Sequence, residues 1–218
     1  MGNNQEETFI NHQADAWFER NFSASLEPVS VDHNVIHAMI SANIPKSGCF
    51  IDLGGGAGQV AAGITKLYSD WDGTILEPSI KAIDAGSKVF PWLDFKCGSL
   101  TKENNLPDKQ FDLAIISMVF CWIDRNRLSK AIANIDSLVK PGGYIIIHDF
   151  YTPFPRANDY HYDNRILTYK QDYSLPFIAL NIYTELYRKS GQATHTTCDE
   201  NDIFDTWLMT SVLKKDLL

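Results

Sequence analysis

The stretch Phe50-Ile51-Asp52-Leu53-Gly54-Gly55-Gly56-Ala57-Gly58-Gln59-Val60 places an acid near the end of a short apolar run and four glycines within the next few positions. Glycines between a strand and a helix remove Cβ atoms from the turn and allow positive φ, so a ligand can lie against the main chain. Glu77 follows about 20 residues on, at the end of a second apolar run, where a carboxylate can accept hydrogen bonds from ribose hydroxyls. Groups able to move a proton gather later, with His148 and Asp149 ending another apolar run and Tyr160, His161 and Tyr162 in a tyrosine-rich segment. Together they describe a nucleoside cradle followed by acid–base groups.

The elements that must position these residues are legible from periodicity. Phe9, Ala16 and Trp17, then Val35, Ile36, Met39 and Ile40, recur at helical spacing and predict two N-terminal helices. A strand through 50–53 enters the glycine turn, and Val60, Ile64 and Leu67 mark the buried stripe of a helix starting near Gly58. Residues 73–77 read as a second strand, with Ser79 placed to cap a helix through about Val89. Residues 93–97 and 111–117 read as strands, the latter apolar enough to be covered on both faces. Leu128, Ile132, Ile135 and Val139 predict a helix stopped by Lys140-Pro141-Gly142-Gly143, before a fifth strand over 144–147.

Strands alternating with helices predict an α/β protein with a parallel sheet. Residues 150–176 lack a clean period and leave the C-terminal end of a strand, where such sheets bind ligands, so a lid or pocket wall is expected there. Residues 182–186 and 206–213 read as an antiparallel pair closing the sheet edge. We read a single domain over 1–218, with a helical cap at 1–45, a cofactor-binding core at 46–149, the lid-like insertion at 150–176 and the hairpin at 177–218.

Composition narrows the function. The chain has 218 residues, 44% hydrophobic and 21% charged, enough apolar material for a buried core. A formal charge of −8 with scattered Lys and Arg opposes binding to phosphate backbones, so no nucleic-acid partner is expected. Cys49, Cys97, Cys121 and Cys198 show neither CxxC nor Cys/His ligand spacing, so we expect no metal, no disulfide framework and a reducing cytoplasm. The start MGNNQEETFI has no signal-peptide pattern, and no apolar run approaches the roughly 20 residues that span a bilayer, so no membrane partner is expected.

Two patterns compete at the glycine turn. Gly56-Ala57-Gly58-Gln59-Val60-Ala61 fits the GxGxxA variant of a dinucleotide site, which would make the protein an NAD-dependent oxidoreductase, while Asp52 with Gly54, Gly56 and Gly58 fits the DxGxGxG pattern of S-adenosylmethionine enzymes. Glu77 suits both. An acid at Asp52 would repel a pyrophosphate, but it can orient the turn and the cationic aminoacyl end of a sulfonium nucleoside. Gly98-Ser99-Leu100 follows the third strand where an adenine ring would be gripped.

DLGGGAG, ILEPS, FDLAIISM and LVKPGGYIIIHDF resemble the first, second, fourth and fifth motifs of the class I S-adenosylmethionine-dependent methyltransferases, a likeness covering about residues 46–218. AWFERN, FCWIDR, DFYTPFPRANDYHY, YKQDYS and SVLKKD further resemble a bacterial group of small-molecule methyltransferases associated with surface-polysaccharide biosynthesis. The resemblance implies a Rossmann-like, seven-stranded, mostly parallel sheet with helices on both faces and a C-terminal antiparallel hairpin. It implies S-adenosylmethionine as cofactor and S-adenosylhomocysteine as product.

By the same likeness Asp52, Gly54, Gly55, Gly56, Gly58, Glu77, Pro78, Ser99, Leu100, Ser117 and Met118 would surround the cofactor. Trp17 and Arg20 would reach it from a first helix that folds over the site. One departure is Ser99, where the family commonly has Asp; a hydroxyl accepts from the adenine amino group less strongly than a carboxylate. Methyl transfer to an amine or hydroxyl also requires a proton acceptor, expected among His148, Asp149, Tyr160 and His161, and strand alternation lets only one of His148 and Asp149 face the pocket. The segment after the fourth strand reads SMVF and lacks the (Asn/Asp)-Pro-Pro-Tyr motif of enzymes acting on DNA bases. The expected acceptor is thus a small polar molecule, such as a sugar, methylated at N or O by a monomer or homodimer. A catalytically silent methyltransferase-like domain that binds a partner is the remaining alternative.

Overall fold

The computed structural model describes residues 5–21, 26–102, 107–192 and 206–217. Cys198 lies outside them. The first helix is built from α1 (Gln5–Thr8), a π turn (Phe9–Gln13) and α2 (Ala14–Asn21), and α3 (Asn34–Ser41) follows. Both fall where the apolar spacing predicts them. The core then alternates β1 (Ser47–Leu53), α4 (Gln59–Leu67), β2 (Asp70–Glu77), α5 (Ile80–Val89), β3 (Asp94–Cys97), β4 (Phe111–Ser117), α6 (Leu128–Leu138) and β5 (Val139–Phe150). Ser79 caps α5 as its position predicts, its hydroxyl accepting from the Ala82 N–H at 3.1 Å.

Seven strands form one sheet in the order β3-β2-β1-β4-β5-β9-β8, where β8 is Tyr183–Gln192 and β9 is Trp207–Lys215. The first five run parallel, and β9 pairs antiparallel with both β5 and β8. The expected fold is the observed one. Strands β2 and β3 build outward on one side of β1, while β4 and β5 build on the other, so the order reverses between β1 and β4. In open α/β sheets the crevice for ligand opens at the strand C-terminal ends at such a switch point.

Alternating residues explain why both sheet faces are covered. Phe50, Leu113, Ile115 and Ile146 pack toward α3 and α4, while Ile51, Leu53, Ala114, Ile116, Ile145 and Ile147 pack into a second core with Ile135 and Leu138 of α6. All are essentially inaccessible to solvent. Successive strand side chains point to opposite faces, so a strand apolar at nearly every position needs helices on both sides.

Two segments depart from expectation. Lys140-Pro141-Gly142-Gly143 does not separate a helix from a later strand: β5 already pairs at Val139 with Phe111, and these four residues bulge before Tyr144 pairs with Leu113. Gly142, at φ +77°, makes the bend, and Lys140 Nζ bonds Asp112 Oδ1 at 2.8 Å. Within 150–176, β6 (Arg156–Asp159) and β7 (Leu167–Lys170) form an antiparallel hairpin of their own, followed by α7 (Leu175–Ala179). Their sequences, RAND and LTYK, carry too few apolar residues to impress a period.

Helix α5 packs directly on the glycine turn. A Cβ at Gly86 would stand 2.4 Å from the Ala57 carbonyl oxygen and 2.7 Å from the Phe95 ring. Gly86→Ala is therefore expected to destabilise the protein by about 2 kcal/mol, because overlap with fixed backbone outweighs the roughly 1 kcal/mol gain in helix propensity. Thermal unfolding of the variant against wild type measures it.

Candidate active site

The turn between β1 and α4 is shaped by its acid. Asp52 is buried beneath it, and a Cβ on Gly55 would lie 2.7 Å from the Asp52 carboxyl carbon, so the turn closes over this side chain only with glycine there. Gly56 differs: it sits at φ +57° and a Cβ would meet nothing within 4 Å. Its backbone faces open space in the cleft. Gly58 ends the turn as the N-cap of α4 and packs against the Phe95 ring, outside the cleft lining.

Glu77 leaves the end of β2 and braces the same turn. Its Oε2 accepts the Gly56 N–H at 2.9 Å and its Oε1 accepts the Ser79 N–H at 2.8 Å. Burial pushes the Glu77 carboxyl up to about 7; these two backbone donors act against that and the charge of Asp15 adds to it. Asp52 is pushed up to about 7 by burial and then by the Glu77 charge. Asp52 Oδ2 is buried with no hydrogen-bond partner among the described residues. A buried unpaired carboxylate oxygen is costly unless a donor or cation reaches it.

Two connected cavities open above the turn. A narrow slot of about 120 Å³ is walled by Glu77, Pro78, Ser99, Leu100, Ser117 and Met118, with Gly54 and Gly56 on one side and Trp17 on another. A chamber of about 1220 Å³ shares Trp17, Gly54, Gly56, Ser117 and Met118 and adds Asp52, Gly55, Arg20, Tyr160 and His161. Sequence-expected residues from six separate parts of the fold thus converge. Met118 adopts φ +58°, uncommon for a residue with a side chain, at the C-terminal end of β4 where both cavities meet.

His148 and Asp149 lie behind the cleft wall and do not line it. His148 is buried, its Nδ1 paired with Thr210 Oγ1 at 2.8 Å, and burial, then the neighbouring His33, holds its pKa down to about 4. Asp149 uses its carboxylate on backbone: Oδ2 accepts the N–H groups of Val119 at 3.0 Å and Cys121 at 3.3 Å, and Oδ1 that of Phe150 at 2.7 Å. It thereby holds the loop that carries Met118 and Trp122 into the cleft. Burial pushes its pKa up to about 6 against those donors.

Tyr160 and His161 come from the loop after β6. Arg20 donates to the Tyr160 hydroxyl at 2.8 Å and to Gln13 Oε1 at 3.1 Å, and its guanidinium lies 4.3 Å from the Tyr162 ring centroid. Trp122 stacks on Phe9 at 5.3 Å and meets Tyr160 edge-on at 4.7 Å, so an aromatic cluster joins the first helix to the β6–β7 hairpin over the cleft. Burial pushes the Tyr160 phenol above its ordinary value despite Arg20, which keeps it protonated at neutral pH.

Sequence reading passed over His33, which lines the chamber. Its Nδ1 accepts the Val35 N–H at 3.3 Å as the cap of α3, which leaves the proton of the neutral ring on Nε2. A polar residue directly before an apolar helical run was the available signal. Phe9 and Trp122 were also missed as cleft residues. Nothing local distinguishes them from core.

Residues 51–147, a little under half of the chain, match the family model described as a methyltransferase domain. No curated protein matches the sequence. Among solved structures, the chain is similar to the N-methyltransferase NodS from Bradyrhizobium japonicum WM9 in complex with S-adenosyl-L-homocysteine, with TM-score 0.59, 14% identity and 99% of each chain covered. It is similar to the 1,6-didemethyltoxoflavin-N1-methyltransferase of Burkholderia thailandensis, with bound 1,6-didemethyltoxoflavin and S-adenosylhomocysteine, at TM-score 0.66 and 12% identity over 98% of this chain and 90% of that one. The glycopeptide N-methyltransferase MtfA complexed with S-adenosyl-L-homocysteine aligns at TM-score 0.61 and 13% identity, over 93% of this chain and 98% of that one. At such identities the likeness is one of fold.

Proposed function

We propose, from the premise that this chain carries a methyltransferase domain over residues 51–147, that it transfers a methyl group from S-adenosylmethionine to a nitrogen or oxygen of a small polar molecule. The observation that carries the reading is the acid under the turn. Asp52 Oδ2 has no hydrogen-bond partner among the described residues and lies beside a second carboxylate, Glu77, at the cleft. A pyrophosphate laid on this turn would face two carboxylates, whereas a nucleoside bearing an ammonium and a sulfonium brings positive charge to them.

The residues fit that cofactor. Gly56 leaves its backbone open to a ligand, Glu77 is held with oxygens toward the slot to take ribose hydroxyls, and Pro78, Leu100 and the Ser99 edge bound a space suited to a flat ring. Ser117 and Met118 stand between slot and chamber, where the reacting end would lie. When bound, S-adenosylmethionine supplies an electrophilic methyl group. The chain's part is to hold that group and the acceptor in line and exclude water, an entropic task that can supply much of the rate. Trp17, Phe9 and Trp122 cover the slot.

The acceptor belongs in the chamber, whose wall carries Tyr160 and His161. Tyr160, kept protonated, can donate a hydrogen bond to the acceptor, and His161 is the group we assign to take the proton released by an amine or hydroxyl. His148 and Asp149 shape the wall from behind. The tyrosines and Arg20 at the chamber suit a polar ring such as a sugar, in keeping with the resemblance to methyltransferases of surface-polysaccharide biosynthesis. The spacing of the cysteines supports work in a reducing cytoplasm.

Calorimetric titration with S-adenosylhomocysteine and, in parallel, NADH tests the reading. Micromolar binding of the first alone is expected. Binding of NADH alone would replace the proposal with hydride transfer, and binding of neither would favour a silent domain.

A further inference from the structure

Glu6 brings a carboxylate to the deep slot from outside the sheet. It is buried on α1, and its Oε1 accepts from Ser99 Oγ at 2.8 Å and also from Thr101 Oγ1. Two hydroxyls of the loop after β3 therefore converge on one oxygen. Glu6 Oε2 has no hydrogen bond among the described residues, and Glu6 lines the slot with Ser99, Leu100, Glu77 and Pro78. The rest of that end is apolar, bounded by Phe9, Ile10 and Leu100.

A slot of this kind suits a flat heteroaromatic ring with a hydrogen-bond donor on its edge. An aimed carboxylate oxygen can accept from an amino group, whereas a ring carbonyl in the same place would set two acceptors against each other. Adenine carries such a donor in its exocyclic amino group, and a 6-oxopurine carries an acceptor there. Glu6 thus stands beside Ser99, the position where the sequence departs from the family's acid.

We propose that Glu6 reads the base of the cofactor, accepting the hydrogen bond of the adenine amino group while Ser99 and Thr101 aim its carboxylate. This rests on the slot being the nucleoside site of an S-adenosylmethionine enzyme. The base reader then rides on the N-terminal helix rather than on the sheet. That helix is docked on both sides of the cleft: Gln5 exchanges two 2.8 Å hydrogen bonds with the Leu167 backbone of β7, and Asp15 Oδ1 accepts from Ser79 Oγ at 2.5 Å. Recognition of the base therefore depends on the helix being seated.

The test titrates S-adenosylhomocysteine and S-inosylhomocysteine, its 6-oxo counterpart, into wild type and Glu6→Gln, with circular dichroism of both proteins. Wild type is expected to prefer the amino compound at least about tenfold, and Glu6→Gln to lose about tenfold for it while the preference collapses, since an amide can donate to the oxo group. Equal weakening for both ligands would mean that Glu6 only seats the helix and would overturn the proposal. Unchanged affinity and selectivity would overturn it too. Wild type that binds neither compound would instead remove the underlying nucleoside reading, and this inference with it.

Discussion

Glu77→Ala is expected to weaken binding of S-adenosylhomocysteine by about 3 kcal/mol, on the order of a hundredfold. Each oxygen of Glu77 is pinned by one backbone donor, Gly56 N–H on one side and Ser79 N–H on the other, so the carboxylate meets a ligand without first being ordered. Removing it frees the Gly56 amide that shapes the turn and, on the proposed function, would delete charge-assisted hydrogen bonds to the ribose. The pH dependence carries the same signature. With its pKa pushed up to about 7, Glu77 gives hydroxyls the stronger, charge-assisted acceptor only when ionised, so wild-type affinity is expected to fall as pH drops through 7. The variant should lose much of that slope, and calorimetry between pH 6 and 8 measures both. Unchanged affinity would take Glu77 out of the cofactor site.

Asp52→Asn should stabilise the ligand-free protein while weakening its binding of cofactor. The Asp52 carboxyl ionises near 3.8 when unfolded and near 7 when folded, so over the interval between them the native state holds a proton that the unfolded chain has released. Stability from this group is therefore complete below the lower value and is lost as pH rises through the upper one. At about 1.36 kcal/mol per unit, the ceiling is about 4 kcal/mol at pH 8. Asn carries no charge to bury, so the variant's thermal midpoint should exceed that of wild type at pH 8, and the gap should close as pH falls toward 4. A gap independent of pH would mean that Asp52 is not held against its charge. The acid is kept at a cost to the fold, as expected of a group retained for a cation.

The parallel core was legible because long apolar runs such as 111–117 admit few alternatives to a strand covered on both faces, and because Val60, Ile64 and Leu67 or Ile132 and Ile135 carry a helical period. The glycine turn was legible because few residue types can make it. The β6–β7 hairpin was not, since its short strands carry few apolar residues and its register is set by pairing across a loop. The bulge at Lys140-Pro141-Gly142-Gly143 reads in sequence as a helix stop, and only its pairing with β4 makes it part of a strand.

What the sequence by itself determined is the α/β core, the glycine turn from Asp52 to Gly58 and the place of Glu77 at the end of the neighbouring strand, because local backbone chemistry and periodicity demand them. Tertiary structure alone decided which titratable groups face the cleft. His148 and Asp149 are adjacent, and alternation lets only one of them face the pocket. Instead one pairs with Thr210 and the other binds the backbone of the 119–121 loop, while His161 and Tyr160 arrive from a hairpin folded across the chamber. Glu6 and Ser99 are 93 positions apart, and no local pattern relates them. Their meeting depends on how the first helix docks on the sheet, which is set by packing and hydrogen bonds between segments far apart in the chain.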